Sequence, residues 1–303
     1  MGLELNNKII FIGGSGRTGT NITRHIFSLN KDIGSLPFEY RFIIDPDGII
    51  DFYNSFNSWS PYYYDLKLKR LDLFLTTLSK KSINKEKYID WELNKYFPHF
   101  IKYKNELIEK LTDFEYDGKW PGSNKNKISF INSNKNIVKS HLKKFIEKNI
   151  KDFLNLNSKK HFVEDNTWNI LYADTLYDFF PNSKLIHLIR DPRDVISSFV
   201  NQSWTPNNID QAIDFYSSII NRWLEIEKSL DKNFYKVIKL EDLVQNPKKI
   251  ISQICDFTNL QIDENMFNVN LTKSNKGRWK KNISKDYEKK IKAKFYKIYE
   301  KYY

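Results

Sequence analysis

The chain has 303 residues, 49 of them Lys or Arg against 37 Asp or Glu, giving a formal net charge of +12 and a mean hydropathy of −0.60. That length suits one large α/β domain, or a domain with a sizeable insertion, and no apolar run approaches the ~20 residues of a membrane span. A single cysteine, Cys255, excludes an internal disulfide framework and a cysteine-based zinc site.

The first predicted element is a β-branched strand, Lys8 to Ile12. A Gly-rich turn follows, and Asn21 to Leu29 then reads as an amphipathic helix. A strand feeding such a turn and a helix N-terminus makes a phosphate cradle, because free N–H groups and the positive dipole end meet the anion. A nucleotide triphosphatase loop reads G-x-x-x-x-G-K-[ST]. Started at Gly14, that template puts Thr20 where the lysine belongs and Asn21 where the Mg²⁺ hydroxyl belongs. Arg17 supplies a cation inside the loop instead. A phosphate ligand neutralised by arginine rather than by Mg²⁺ is expected.

A second short strand is predicted near Tyr40 to Ile44. Residues 50–156 then break the rhythm. They are rich in Tyr, Phe, Trp, Lys and Asn and read mostly helical, over Tyr63 to Leu78, Glu86 to Leu111 and Asn134 to Leu154, with a turn-rich break at Asp117 to Gly122. Trp59, Tyr62, Tyr63, Tyr64 and Trp120 fall near expected loops and are candidates to line a groove. The sheet resumes with strands His161 to Glu164, Lys184 to Arg190 and Tyr235 to Leu240. Between and after them run helices Thr167 to Phe179, Arg193 to Gln202, Ile209 to Leu230 and Pro247 to Thr258, and a Lys-rich helix from Lys285 to Tyr302 closes the chain. Alternating strands and helices predict a parallel sheet with helices on both faces.

Arg190 ends a buried strand, at the sheet edge where open α/β sheets bind ligands. Pro192 suits the first helical turn, and Ser198, eight residues on, can face the same anion. The alternative is an ordinary surface ion pair between Arg190 and Asp191. The lysine excess is spread along helices and is not interleaved with aromatics, so no nucleic-acid partner is expected. It reads as solvated faces plus a site for a polyanionic nucleotide, with an acidic acceptor left open. The N-terminus lacks the apolar core of a signal peptide. Met1-Gly2 opens like a myristoylation signal but position 6 is Asn, and a cytoplasmic location is expected.

Together these residues resemble the sulfotransferase family that uses 3′-phosphoadenosine 5′-phosphosulfate (PAPS). The loop Gly16-Arg17-Thr18-Gly19-Thr20 resembles that family's 5′-phosphosulfate loop, and Arg190 with Ser198 resembles its 3′-phosphate motif. Lys239 to Pro247 is similar to the segment after the last strand, and Gly277-Arg278-Trp279-Lys280 to the C-terminal nucleotide clamp. The likeness is greatest to the tyrosylprotein and bacterial branch, whose Glu-x-Arg signature is matched by Glu39-Tyr40-Arg41. The resemblance implies an α/β, P-loop-like three-layer fold as a single domain over 1–303, with the helical insertion 50–156 as an acceptor-site cap.

It also implies sulfuryl transfer from PAPS to a hydroxyl acceptor by in-line displacement, with no metal. Glu39 would be the general base, Arg41 its orienting neighbour, and Arg17 the stabiliser of the leaving phosphate. Gly16, Arg17, Thr18, Gly19, Thr20 and Asn21 would hold the 5′-phosphate, Arg190 and Ser198 the 3′-phosphate, and Arg278 and Lys280 would close over the donor. Three departures stand out. Asp165 occupies the position of a lysine on the middle strand, Leu240 replaces an aromatic before Glu241-Asp242-Leu243, and Asn21 replaces a threonine. His141 resembles a catalytic histidine of another branch, but it lies too far before Arg190 and within a helical pattern. A P-loop-type kinase, and an inactive nucleotide- or glycan-binding protein on the same fold, are the alternatives. The sequence carries no motif for the acceptor or for an oligomeric state.

Overall fold

The structure, a computed structural model, describes residues 8–57, 60–81, 91–118, 127–131, 134–271 and 275–303. In chain order the elements are β1 (Ile9–Gly14), α1 (Thr20–Ser28), β2 (Ile33–Ser35), α2 (Ile49–Asn54), α3 (Pro61–Ser79), α4 (Phe100–Leu111), β3 (Thr112–Asp117), β4 (Lys127–Ile131) and α5 (Lys135–Leu156). They continue with β5 (His161–Asp165), α6 (Ala173–Phe179), β6 (Lys184–Ile189), α7 (Pro192–Phe199), α8 (Ile209–Ser229), β7 (Tyr235–Lys239), α9 (Leu240–Gln245) and α10 (Pro247–Thr258). The chain ends with α11 (Trp279–Asn282), α12 (Lys285–Lys294) and α13 (Tyr296–Tyr302). Two compact units result: residues 1–35 with 160–303, and residues 36–159. The predicted insertion, 50–156, falls inside the second.

The first unit is built on a five-stranded sheet in the order β2-β5-β1-β6-β7, every pairing parallel. β1 is the middle strand and all six of its residues are buried. Period-two alternation divides its side chains between two layers. Ile10 and Ile12 join Val163, Ile186 and Leu188 against Ile26 and Phe27 of α1 and Ile251, Ile254 and Cys255 of α10. On the opposite face Phe11 meets Phe180 beyond α6 at 5.9 Å, and His187 meets Trp223 of α8 at 4.2 Å between ring centroids. This is the α/β three-layer fold the alternation predicts. A third cluster packs α12 and α13, through Ile291, Phe295 and Ile298, on α7 and α8. Burial beside Asp256 pushes the Cys255 thiol up to about 11. The thiol is fully buried, so the folded protein should resist alkylation at pH 8 and react only once unfolded. Rapid labelling of native protein, read by mass spectrometry, would contradict this placement.

The second unit holds α2 to α5 and the antiparallel hairpin β3–β4. Tyr40, Phe42, Phe97, Phe100 and Phe145 form its aromatic core. Three expectations are corrected here. Tyr40 to Ile44 is not a strand: Phe42 and Ile43 bury their side chains from a turn whose carbonyls accept from Ile49 and Ile50, and the second sheet strand is Ile33–Ser35. The hairpin interrupts a region read as mostly helical; it is held by Phe114 stacked on Phe130 at 4.8 Å. The helix expected over Glu86 to Leu111 is only Phe100–Leu111 among the described residues, because Pro98 cannot continue a helix from upstream. The helix expected over Asn134 to Leu154 is α5, and Asn134 caps it, accepting from Asn136 and Ile137 N–H. Further along, Thr167 to Phe179 begins as a 3₁₀ turn, and the C-terminal helix breaks at Phe295. Most of the turn-rich break at Asp117 to Gly122 lies outside the described residues.

Candidate functional site

Five residues turn the chain between β1 and α1. Gly16, Arg17 and Gly19 all adopt positive φ, at 87°, 59° and 99°. Gly14 and Gly16 also have no room for a side chain. A Cβ at Gly14 would lie 2.2 Å from Thr18 Oγ1, and one at Gly16 2.7 Å from Trp204 Cη2. The first intrahelical bond of α1 runs from Thr23 N–H to Gly19 C=O at 3.0 Å. The N–H groups of Thr20, Asn21 and Ile22 therefore have no intrahelical acceptor. Thr18 Oγ1 is buried and has no hydrogen-bond partner among the described residues. A loop with free N–H groups, a helix dipole and an orphaned buried hydroxyl has the donor set for a phosphate group.

Arg190 follows the last residue of β6 and is 7% exposed. Its Nη1 donates to the Arg17 carbonyl at 3.2 Å and its Nη2 to the Asn275 carbonyl at 2.7 Å. Arg17 Nε in turn donates to Ser198 Oγ at 2.9 Å. Ser198 reaches the loop because it sits about two turns along α7, which starts at Pro192 with Asp191 as cap. The structure thus joins Arg17, Arg190 and Ser198. The surface ion pair with Asp191 does not form: Asp191 pairs with Arg193 at 2.6 Å and accepts from the Tyr299 hydroxyl at 2.9 Å, while Arg190 lies 3.5 Å from Asp194. Burial, then the charges of Arg190 and Arg278, lower the Arg17 pKa. An arginine stays charged nonetheless, so three like charges are held near one another and favour an anion between them.

Asp165, at the end of β5 beside β1, is paired with Arg24 of α1 at 3.3 Å, and its side chain is fully buried. Arg24 therefore offsets a carboxylate that would oppose an anion. Leu240 packs on the loop: a Cβ at Gly19 would lie 2.7 Å from its Cδ1. Glu241 Oε1 accepts from Asp191 N–H at 2.9 Å and ties the segment after β7 to the segment after β6. Asn21, Arg278 and Lys280 are exposed.

Glu39 and Arg41 belong to the second unit and pair there, Arg41 Nη2 to Glu39 Oε2 at 2.5 Å. Arg41 also reaches Asp45 at 3.3 Å and lies 5.9 Å from the centre of the Trp91 ring. Trp91 Nε1 donates to the Glu39 carbonyl at 3.3 Å. His141 sits half-buried within α5. Tyr62, Tyr63 and Tyr64 open α3, and only Tyr64 is buried. Trp59 and Trp120 lie outside the described residues. Among the described residues no group of His, Cys, Asp or Glu is arranged to hold a metal ion, and no helix is long and apolar enough to cross a membrane.

Three contributors escaped the sequence reading. Trp204 stands over Gly16, about half exposed, with Trp168 edge-on at 6.0 Å; nothing in its sequence context marks it. Arg24 could be found only once Asp165 was known to be buried. Asp194 did carry a signal, since it lies four residues after Arg190 at the start of a helix, a spacing that brings side chains together.

The model of the Sulfotransferase family matches residues 10–264. Among solved structures, the chain is similar to the sulfotransferase domain from the curacin biosynthetic pathway, at 18% identity, 86% coverage of this chain and 76% of that one, with a TM-score of 0.49. It is similar to a sulfotransferase from Mycobacterium avium at 10% identity, 98% and 77% coverage and a TM-score of 0.48. A sulfotransferase from Alicyclobacillus acidocaldarius gives 13%, 95% and 91%, with a TM-score of 0.44. No curated protein matches the chain.

Proposed function

The chain belongs to the sulfotransferase family, and we propose that it moves the sulfuryl group of PAPS to a hydroxyl acceptor. The observation that carries this reading is the bond from Arg17 to Ser198, which links the phosphate loop to the helix that follows Arg190. A donor with a 5′-phosphosulfate and a 3′-phosphate needs two adjoining cationic stations, and Arg17 and Arg190 supply them. In this reading the free N–H groups of the loop and the hydroxyls of Thr18 and Thr20 hold the 5′-phosphate, with Asn21 beside them. Arg190 and Ser198 hold the 3′-phosphate, and Arg278 and Lys280 close over it.

The reaction is an in-line displacement at sulfur. The acceptor oxygen forms a new O–S bond, the bond from sulfur to the bridging phosphate oxygen breaks, and that oxygen leaves with its electron pair. Glu39 takes the proton of the acceptor hydroxyl, and Arg41 orients Glu39. Negative charge grows on the bridging oxygen, where Arg17 stabilises it electrostatically and donates no proton. With Asp165 neutralised by Arg24, the role of the lysine that the family resemblance implies at that position passes to the arginine group. Acceptor choice is assigned to the insertion 50–156, as part of one sulfotransferase domain over 1–303.

The test is calorimetric titration with 3′,5′-adenosine bisphosphate in the absence of metal, against AMP and Mg²⁺-ATP. Micromolar binding is expected, and Arg190→Ala should weaken it about 10- to 100-fold, the value of hydrogen bonds to a charged group. No binding, or a preference for Mg²⁺-ATP, would overturn the reading and leave the inactive scaffold or the kinase.

A further inference from the structure

We infer that Asp194 is a positioning residue that fixes the Gly277–Trp279 turn against α7, and so holds Arg278 beside Arg17 and Arg190 to meet the donor's phosphates. The inference rests on the donor reading above and assigns a task to a residue that reading leaves unused.

Asp194 is 2% exposed. A carboxylate so deep must have its oxygens satisfied. Its Oδ2 accepts from Gly277 N–H at 2.8 Å and its Oδ1 from Trp279 N–H at 3.0 Å. Both are backbone bonds, so they set the path of the turn whatever side chains it carries. Gly277 has φ 72°, and nothing lies within 4 Å of where its Cβ would be. The turn therefore has little packing of its own at that point, and the two bonds to Asp194 are its local anchor. Between them sits Arg278, exposed.

The same helix, with Arg190 just before it, grips the flanking residues. Arg190 donates to the Asn275 carbonyl, the Arg193 guanidinium lies 3.9 Å from the centre of the Trp279 ring, and Ser197 Oγ accepts from Asn282 at 3.1 Å. Residues 193, 194 and 197 share one side of α7, and Arg190 stands just before its cap. Ser198 follows directly and takes the bond from Arg17. One helix thereby sets the spacing between the phosphate loop and the C-terminal segment.

Charge explains why the anchor is an acid. The Arg190 and Arg278 charges both depress the Arg17 pKa, so each of them repels Arg17. Asp194 supplies the opposite charge at 3.5 Å from Arg190 and the mechanical tie at once. Without it the turn loses its anchor while the repulsion remains, and Arg278 moves away.

The experiment is a double-mutant cycle on the full-length protein, Asp194→Asn, Arg278→Ala and both together, reading the Kd for 3′,5′-adenosine bisphosphate by calorimetry. Each single change is expected to weaken binding about tenfold or more. The double variant should be no weaker than the worse single one, within about twofold, since both remove the same contact. Losses that multiply, or an unchanged Kd for Asp194→Asn, overturn the inference and leave the donor site standing. A native protein that does not bind the bisphosphate overturns the donor reading and this inference with it. Should Asp194→Asn not fold, amide hydrogen exchange on the native protein decides. Protection of Gly277 and Trp279 N–H without ligand is expected, and fast exchange at both overturns the inference.

Discussion

Glu39→Gln should lower kcat by about 10²- to 10⁴-fold, the usual contribution of a positioned general base, and should leave the Kd for 3′,5′-adenosine bisphosphate unchanged. Gln keeps the size of the side chain and a carbonyl oxygen for Arg41, but it cannot accept the acceptor's proton. The Glu39–Arg41 pair is half-buried and is framed by Trp91 on the Glu39 carbonyl, so the carboxylate has a fixed place rather than the freedom of a solvated loop residue. Rates are read with a generic phenol or sugar acceptor across pH. A kcat within threefold of the native value would dismiss Glu39 as the base. Loss of bisphosphate binding in the same variant would show that Glu39 serves the donor site instead.

Acid should destabilise the fold well above the range where carboxylates titrate. His187 lies within β6, is 1% exposed, and neither ring nitrogen has a hydrogen-bond partner among the described residues. Burial brings its pKa down to about 3, with Glu227 opposing and Lys301 assisting. The folded protein therefore keeps His187 neutral where the unfolded chain, with a value near 6.5, takes up a proton. Stability is unaffected above pH 6.5 and falls as pH drops from there towards 3, by about 1.4 kcal/mol per pH unit. Between pH 6.5 and 5 that amounts to about 2 kcal/mol, a large share of a typical net stability. His161 and His141, also lowered by burial, add to the same slope, so the diagnostic is a difference. His187→Leu should flatten the denaturant-derived stability profile over this window by about one proton. An unchanged slope would mean that His187 is solvated or paired in solution.

The sequence was most legible where the chemistry is local. Gly16 to Asn21 follow β1 directly, and Ser198 is fixed relative to Arg190 by helical rise alone, so both could be read without a structure. The parallel strands were legible too, because β1 and β6 are buried on both faces and read as apolar runs, the latter interrupted only by His187 after its opening Lys184. An apolar run without length or alternation is ambiguous, and Phe42-Ile43-Ile44 shows the consequence: a buried turn looks like a strand. The short β2, with Gly34 at its centre, gives almost no signal. What could not be read were partners remote in sequence. Asp194 meets Gly277 across 83 positions, and Trp204 meets Gly16 across a still longer span. No periodicity encodes such contacts.

The order of strands also sets a timetable for synthesis. β1 is the first strand made and the innermost in the sheet, yet its neighbours are β5 and β6. At a translation rate of about 5 to 20 residues per second, roughly 10 to 30 s pass before the first of them leaves the ribosome. Residues 36–159 emerge during that interval and carry their own core, so they are free to fold first. Meanwhile Ile9, Ile10, Phe11 and Ile12 wait as an unpaired apolar segment, a place for a chaperone to act.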